Sequence, residues 1–284
     1  MRRWSACIAG LAAVCILSGT VHAGDVHGYG QGCRYDGQNR PIGAVEFNQQ
    51  YGGYDACALS GDSRYILLTF DQGYENGYTA QILDTLKEKN VKAIFFLTGD
   101  YARKETALVQ RMVDEGHVLG NHGMTHASMP KLEGAALEEE IMSLHRYVQD
   151  TYGYEMQYLR PPCGEYSEAS LAAAQRLGYK TVFWSFAYVD WLVDQQPDPA
   201  QAYSRMTEAA HGGGIYLLHS VSATNCAVLG VTILNINSGY NLFYSIGDTA
   251  YKTNVAQYQQ MDQAELELTI PTNVDFGSGS TANV

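Results

Sequence analysis

Positive charge is scarce in this chain. Its 284 residues carry 18 Lys and Arg against 30 Asp and Glu, a formal net charge of −12. Such a surface repels nucleic acid and anionic lipid headgroups, which excludes phosphate-rich partners and favours a neutral or polymeric substrate. Long apolar runs are scarce as well. The stretch over residues 4–17 is the longest, and it falls short of the ~20 residues that a membrane span needs. No repeat of fixed period is visible, which excludes a repeat architecture.

What is present at the start is a leader pattern. Arg2 and Arg3 precede the apolar stretch, and Val21-His22-Ala23 follows it with the small-x-small spacing that signal peptidase reads. Export is therefore expected, with cleavage after Ala23. Loss of the two arginines takes the net charge from −12 to −14. Cys7 and Cys15 leave with the leader, and Cys33, Cys57, Cys163 and Cys226 remain, free to pair outside the membrane. Three connectivities are open, and the preferred one joins Cys33 to Cys57 and Cys163 to Cys226.

From Tyr65 onward, short apolar runs alternate with amphipathic stretches. Strands are expected over 65–70, 92–97, 118–121, 158–160, 181–184 and 215–218, and helices over 78–89, 105–115, 134–152, 167–177 and 198–210. Pro161 and Pro162 stop the fourth strand, and Gly178 is read as a left-handed helix stop. Residues 226–237 fall where the next helix belongs, although Gly230, Val231, Thr232, Asn235 and Asn237 are poor helix formers. The alternation implies right-handed βαβ units and a parallel sheet. Four regions follow: a leader over 1–23, a polar lead segment over 24–62, one catalytic domain over 63–248, and a polar tail over 249–284. The tail holds one alternating run, 264–270, that suits a late strand.

Each strand delivers polar residues to one rim. The first ends in Asp71, Gln72 and Gly73, the third in the run from Asn121 through His122 to His126, the fourth in Arg160. The strand over 181–184 leads through Tyr188 to Asp190 and Trp191, and the last ends in His219. In a parallel α/β fold these converge at the carboxyl ends of the strands. Glu75, His117 and His145 read as solvated residues, Glu138, Glu139 and Glu140 as an exposed helix face, and His211 as a residue at the carboxyl end of its helix.

Five ordered motifs, Thr69-Phe70-Asp71-Gln72-Gly73, His122-x-x-x-His126, Arg160-x-Pro162 with Gly164, Asp190-Trp191 and Leu217-Leu218-His219, resemble those of the NodB-type polysaccharide deacetylases, carbohydrate esterase family 4. The stretches 73–79, 159–162 and 183–191 are similar to the δ-lactam-biosynthetic, muramic-acid de-N-acetylases of peptidoglycan. The resemblance implies an α/β fold, a distorted (β/α) barrel with parallel strands. It implies a divalent metal ion, zinc or similar, on His122 and His126, with Asp71 as general base oriented by Arg160. It further implies His219 as general acid, held by Asp190, a slot for the acetyl group walled by Trp191 and Leu217, and Tyr188 against the sugar. Backbone N–H groups after Arg160 are expected to form the oxyanion hole.

Gln72 stands where most of that family carries a metal-binding aspartate, so metal affinity is expected to be weakened. The implied partner is a peptidoglycan glycan strand, with no nucleic acid and no protein partner, acted on by a monomer. Two other readings stay open: a deacetylase of N-acetylglucosamine polymers, and a non-catalytic glycan-binding barrel.

Overall fold

Eight consecutive residues, Tyr65–Gln72, form a strand in which every side chain is buried, and the molecule is assembled around it. In this computed structural model the described residues are 25–236, with the short strands Asn241–Leu242, Asn273–Asp275 and Thr281–Asn283. The leader and the 264–270 run lie outside the described residues.

In chain order the first half holds β1 (His27–Gly28), α1 (Ile42–Tyr51), β2 (Ala56–Cys57), β3 (Tyr65–Gln72), α2 (Thr79–Glu88), β4 (Ile94–Leu97), α3 (Gly99–Lys104), α4 (Thr106–Asp114) and β5 (Val118–Asn121). The second half holds α5 (Gly134–Tyr152), β6 (Tyr158–Leu159), β7 (Glu165–Tyr166), α6 (Glu168–Arg176), β8 (Lys180–Val182), α7 (Pro199–Glu208), β9 (Ile215–His219) and α8 (Ala223–Ile236). The strands β9, β3, β4, β5, β6, β8 and β2 lie side by side in that order, all parallel. A parallel bridge between Phe186 and Tyr216 ties the chain beyond β8 back to β9 and curls the sheet into a distorted barrel.

Strand alternation sorts the side chains into two sets. One set, Leu67, Ile94, Phe96, Val118, Tyr158, Val182 and Ile215, packs with Cys57 inside the barrel. The other, with Ile66, Leu68, Phe70, Phe95, Leu97, Tyr216 and Leu218, packs against the helices. Continuing the inward set toward the strand ends gives Thr69 and Asp71 on β3, His122 beyond β5, Arg160 beyond β6, and Leu217 and His219 on β9. The rule that fills the barrel with apolar residues below thus places its reactive residues above.

The helices start and stop where their caps dictate. Ser167 and Ser170 form a reciprocal capping box on α6, and Gly178 ends that segment at φ +85°, which costs an L side chain energy but not glycine. Asp198 accepts from the Gln201 N–H at 3.1 Å ahead of Pro199 in α7. The expected helix over 105–115 is α4, and a separate short helix, α3, precedes it because Glu105 leaves helical geometry at φ −104°, ψ 43°. The poor helix formers of 226–237 do form α8, since Val228, Leu229, Ile233 and Ile236 are buried and packing outweighs propensity. Among the described residues no helix is long and apolar enough to cross a membrane.

The lead segment carries more structure than its polar composition suggests. β2 adds to the sheet beside β8, and β1 pairs antiparallel with β7. Tyr29, Phe47, Tyr51, Tyr166 and Phe183 form one aromatic cluster, and the Tyr29 hydroxyl donates to the Trp184 carbonyl at 2.6 Å.

Several expectations are corrected. Neither expected disulfide is formed: Cys57 is buried inside the barrel while Cys33 is exposed, and Cys163 is exposed while the Cys226 sulfur on α8 lies 3.4 Å from the Gln81 Oε1. His117 is buried, with its Nδ1 accepting from the Ala93 N–H at 3.2 Å, and burial pushes its pKa down to about 3. His211 lies beyond α7, buried, with Nε2 2.8 Å from the Ser185 hydroxyl. His145 is half-buried against the Tyr179 hydroxyl at 2.7 Å. Glu140 is buried, unlike its neighbours in the acidic run. With neither disulfide formed, all four cysteines should alkylate in denaturant without reductant, and buried Cys57 should resist in the native state. Peptide mass spectrometry reads both outcomes, and an unmodified pair in denaturant would restore a disulfide.

Candidate active site

Arg160 is the deepest element of the site, with no exposed surface. Its Nη1 donates to Asp71 Oδ1 at 2.7 Å and to Thr69 Oγ1 at 2.8 Å. Nε and Nη2 donate to the carbonyls of Val182 and Phe183 at 3.0 and 2.9 Å, and the guanidinium lies 4.2 Å from the Phe96 ring centroid. A charge this deep persists only when paired and hydrogen-bonded. Burial by itself would raise the Asp71 pKa. The Arg160 guanidinium, helped by His122 and His219, outweighs it and holds the carboxyl below its ordinary value.

His122 meets the other Asp71 oxygen, with Nε2 3.5 Å from Oδ2. Its Nδ1 lies 2.7 Å from the Arg160 carbonyl, which can only accept, so the proton sits on Nδ1 and Nε2 keeps its lone pair. Burial lowers its pKa to about 4, which keeps the imidazole neutral. The His126 ring stands 4.9 Å away, on an exposed residue at φ +60°. That left-handed turn is held from below by Glu140 of α5. One oxygen accepts the backbone N–H groups of Thr125 and Ala127 at 2.8 and 3.3 Å, and the other takes the Thr125 hydroxyl at 2.8 Å.

On the opposite wall, His219 Nδ1 donates to Asp190 Oδ1 at 2.7 Å, and the His219 N–H donates to Oδ2 at 2.8 Å. Asn225 of α8 completes the clamp, its Nδ2 donating to Asp190 Oδ2 at 2.6 Å and to the His219 carbonyl at 3.1 Å. Burial would lower the His219 pKa, but the Asp190 hydrogen bond and charge overcome it and raise it. The Tyr188 hydroxyl donates to Asn225 Oδ1, so this buried tyrosine braces the clamp with its polar end. Its ring still lines the cleft.

Between these walls lies a two-lobed cleft whose lobes share Asp71, His122, His126, Trp191 and His219. One lobe, about 550 Å³, is bounded by Trp184, Ala187, Val189 and Leu217. The other, about 560 Å³, is lined by Tyr74, Thr98, Asp100, Arg103 and Thr125. Trp191 is 45% exposed, its ring 5.5 Å from that of His219, whereas Leu217 is 5% exposed at the floor. The oxyanion donors narrow to one. Pro161 and Pro162 have no N–H, and the Gly164 N–H donates to the Pro161 carbonyl at 3.1 Å, which leaves the N–H of Cys163. Gly164 sits at φ +66°, where a Cβ would come within 2.7 Å of the Trp184 ring.

The expected metal ligands divide. His122 and His126 face one another across the cleft wall, and their imidazoles suit a divalent cation. Gln72 has the outward parity of Phe70, is fully buried, and does not line the cleft. Its amide donates to the hydroxyl of Ser220, itself outward on the chain beyond β9, while Gln72 Oε1 has no hydrogen-bond partner. Among the described residues no group of three His, Cys, Asp or Glu side chains could hold a metal. Glu75 is no ligand either: its carboxylate caps α2, accepting from the N–H groups of Gly77 at 2.6 Å and Thr79 at 3.3 Å.

Parallel curled sheet, paired carboxylate and guanidinium, and two facing histidines define a class. The chain belongs to the polysaccharide deacetylase family, hydrolases acting on carbon–nitrogen bonds, whose family model matches residues 59–182. It is 40% identical over 214 residues to the peptidoglycan-N-acetylmuramic acid deacetylase PdaA of Bacillus subtilis, covering 75% of this chain and 81% of that protein. The solved structure of Bacillus subtilis PdaA, a family 4 carbohydrate esterase, superposes with a TM-score of 0.72 at 38% identity, covering 77% of this chain and 94% of that one. A peptidoglycan-N-acetylglucosamine deacetylase of Bacillus cereus is 38% identical over 138 residues, 48% of this chain and 50% of that protein. Deacetylases of this family are generally metal-dependent.

Glu140 and Asn225 escaped sequence reasoning because both come from helices whose patterns announce only packing. Asn225 had one available signal, its place six residues after His219. Glu140→Ala would remove the acceptor of the Thr125 and Ala127 N–H groups of the histidine loop. The variant should unfold about 2–3 kcal/mol more easily and show faster amide exchange over residues 123–127, read by urea titration and hydrogen exchange. Unchanged exchange there would remove Glu140 from the support of His126.

Proposed function

We propose that this protein is an exported hydrolase that removes the N-acetyl group from N-acetylmuramic acid residues of peptidoglycan. The observation that carries it is the pairing of two differently tuned groups across one cleft. Asp71 is held ionised by Arg160, and His219 is held protonatable by Asp190, in a chain 40% identical to the muramic-acid deacetylase PdaA.

Asp71 takes a proton from water as the oxygen adds to the acetamide carbonyl carbon. Arg160 fixes the Asp71 carboxylate so that its free oxygen faces the attacking water. The Cys163 N–H donates to the carbonyl oxygen as negative charge develops there. His219 then gives its proton to the nitrogen, the carbon–nitrogen bond breaks, and acetate and a free amine leave. Asp190, braced by Asn225 and Tyr188, keeps the His219 proton on the ring through its approach to the substrate. Trp191 and Leu217 bound the space for the acetyl methyl.

His122 and His126 are the residues that would hold a divalent metal, zinc or similar, which would supply polarisation of the carbonyl and acidification of the attacking water. Gln72 adds no charge to that set, and its unpaired amide oxygen is the most it offers. Binding of the cation would accordingly be weak, and a carboxylate at position 72 should strengthen it by giving up the Ser220 contact and turning toward the two imidazoles. Gln72→Asp is expected to tighten metal binding at least tenfold, or ~1.4 kcal/mol, by calorimetry. Equal affinities would place residue 72 outside the ligand set.

Acetate release from purified peptidoglycan glycan, with mass spectrometry of the products, tests the whole reading. Wild type should yield de-N-acetylated muramic acid, with δ-lactam where the freed amine closes on the lactyl group, and Asp71→Asn should yield none. De-acetylated glucosamine instead would favour an N-acetylglucosamine deacetylase, and no release with any divalent metal a glycan-binding barrel. Export rests on the leader pattern of residues 1–23, and the amino-terminal sequence of the secreted protein should begin at Gly24.

A further inference from the structure

The two lobes of the cleft differ in a way that the reaction itself does not require. Of all the residues lining them, Arg103 alone is a lysine or arginine, and it stands in the lobe with Tyr74, Thr98 and Asp100. The neighbouring acid, Asp100, is already paired with Lys104 Nζ at 2.8 Å. Among the described residues Arg103 has no ion pair; its Nη1 rests instead on Met124 Sδ at 3.3 Å. A guanidinium without an ion pair on the wall of a reaction cleft, in a chain of net charge −12, presents the donors it does not spend on Met124 to whatever enters.

Its position is built. Met124 is the middle residue of the loop from His122 to His126, and it lies over Gly99, where a Cβ would come within 2.1 Å of its sulfur. The Gly99 N–H donates to the Gly123 carbonyl at 3.2 Å, and Thr98 caps α3 by accepting from the Tyr101 N–H at 3.3 Å. One turn into that helix, Arg103 is pinned against the midpoint of the histidine loop, beside the reacting centre.

N-acetylglucosamine and N-acetylmuramic acid carry the same acetamide on C2 and differ on the adjacent carbon, where the second bears a lactyl ether ending in a carboxyl group. With the acetamide between Asp71 and His219, a substituent on the next ring carbon reaches one of the two lobes. The lobe with Trp184, Ala187, Val189 and Leu217 offers a carboxylate no lysine or arginine. The other lobe offers, in Arg103, a planar fork that matches carboxylate geometry. Resting on the function proposed above, we propose that Arg103 is a specificity-determining residue that binds the free lactyl carboxylate of muramic acid.

The test uses peptide-free peptidoglycan glycan in two forms, with the lactyl carboxyl free and with it methyl-esterified, against wild type and Arg103→Gln. On the free acid, Arg103→Gln should lower kcat/KM for acetate release from muramic acid by about tenfold or more, mainly through KM. Esterification should cost wild type a similar factor and the variant less than about twofold. Equal activity of the two proteins on the free acid would overturn the inference, as would an equal loss in both on esterification. Wild type releasing no acetate from muramic acid would overturn the proposed function and this inference together, which distinguishes the two failures.

Discussion

A fully buried guanidinium is the constraint on which the site depends. Arg160 reaches Asp71 and Thr69 on β3 and the carbonyls of Val182 and Phe183 at the end of β8, so one side chain joins three strands of the sheet. In that position it must have a counter-charge, and Asp71 provides it. The same pairing that makes the arginine tolerable keeps the carboxylate ionised. Its own carbonyl fixes the His122 tautomer. Base, imidazole and sheet are therefore coupled, and the reactive geometry is a by-product of satisfying one buried charge.

Parity does the rest. Because side chains alternate along a strand, Leu67, Thr69 and Asp71 share a face, as do Ile215, Leu217 and His219. The register aligns Asp71 with His219 on neighbouring strands. Gln72 and Ser220 are one step out of phase and meet on the helix side instead. Adjacent positions in one motif thus belong to different environments, which is why the neighbour of the base is not itself in the cleft.

Much of this could be read from residue order. The strand ending in Asp71, the helix Gly134–Tyr152 and the strand ending in His219 each carry a strong period, and the structure places them with small changes of boundary. What stayed hidden depends on contacts between distant segments. The two-residue strand β2 sits in a lead rich in Gly, Tyr and Gln, with no pattern of its own. Glu140 looks like its exposed neighbours until the loop above it is known, and the cysteines cannot be paired or separated without the barrel. The two prolines after Arg160 were visible, and their missing N–H groups could have reduced the oxyanion donors to Cys163 from the outset.

The first described residues are fastened to the last part of the barrel. Tyr29 packs on Trp184, β1 on β7, and β2 on β8, so each partner lies more than a hundred residues downstream. A chain that emerges amino end first lacks these partners until residues 165–184 have appeared. Closing such a loop is slow. The order of synthesis therefore opposes the order of assembly, and the wall carrying Trp184 is among the last parts of the molecule to become solid.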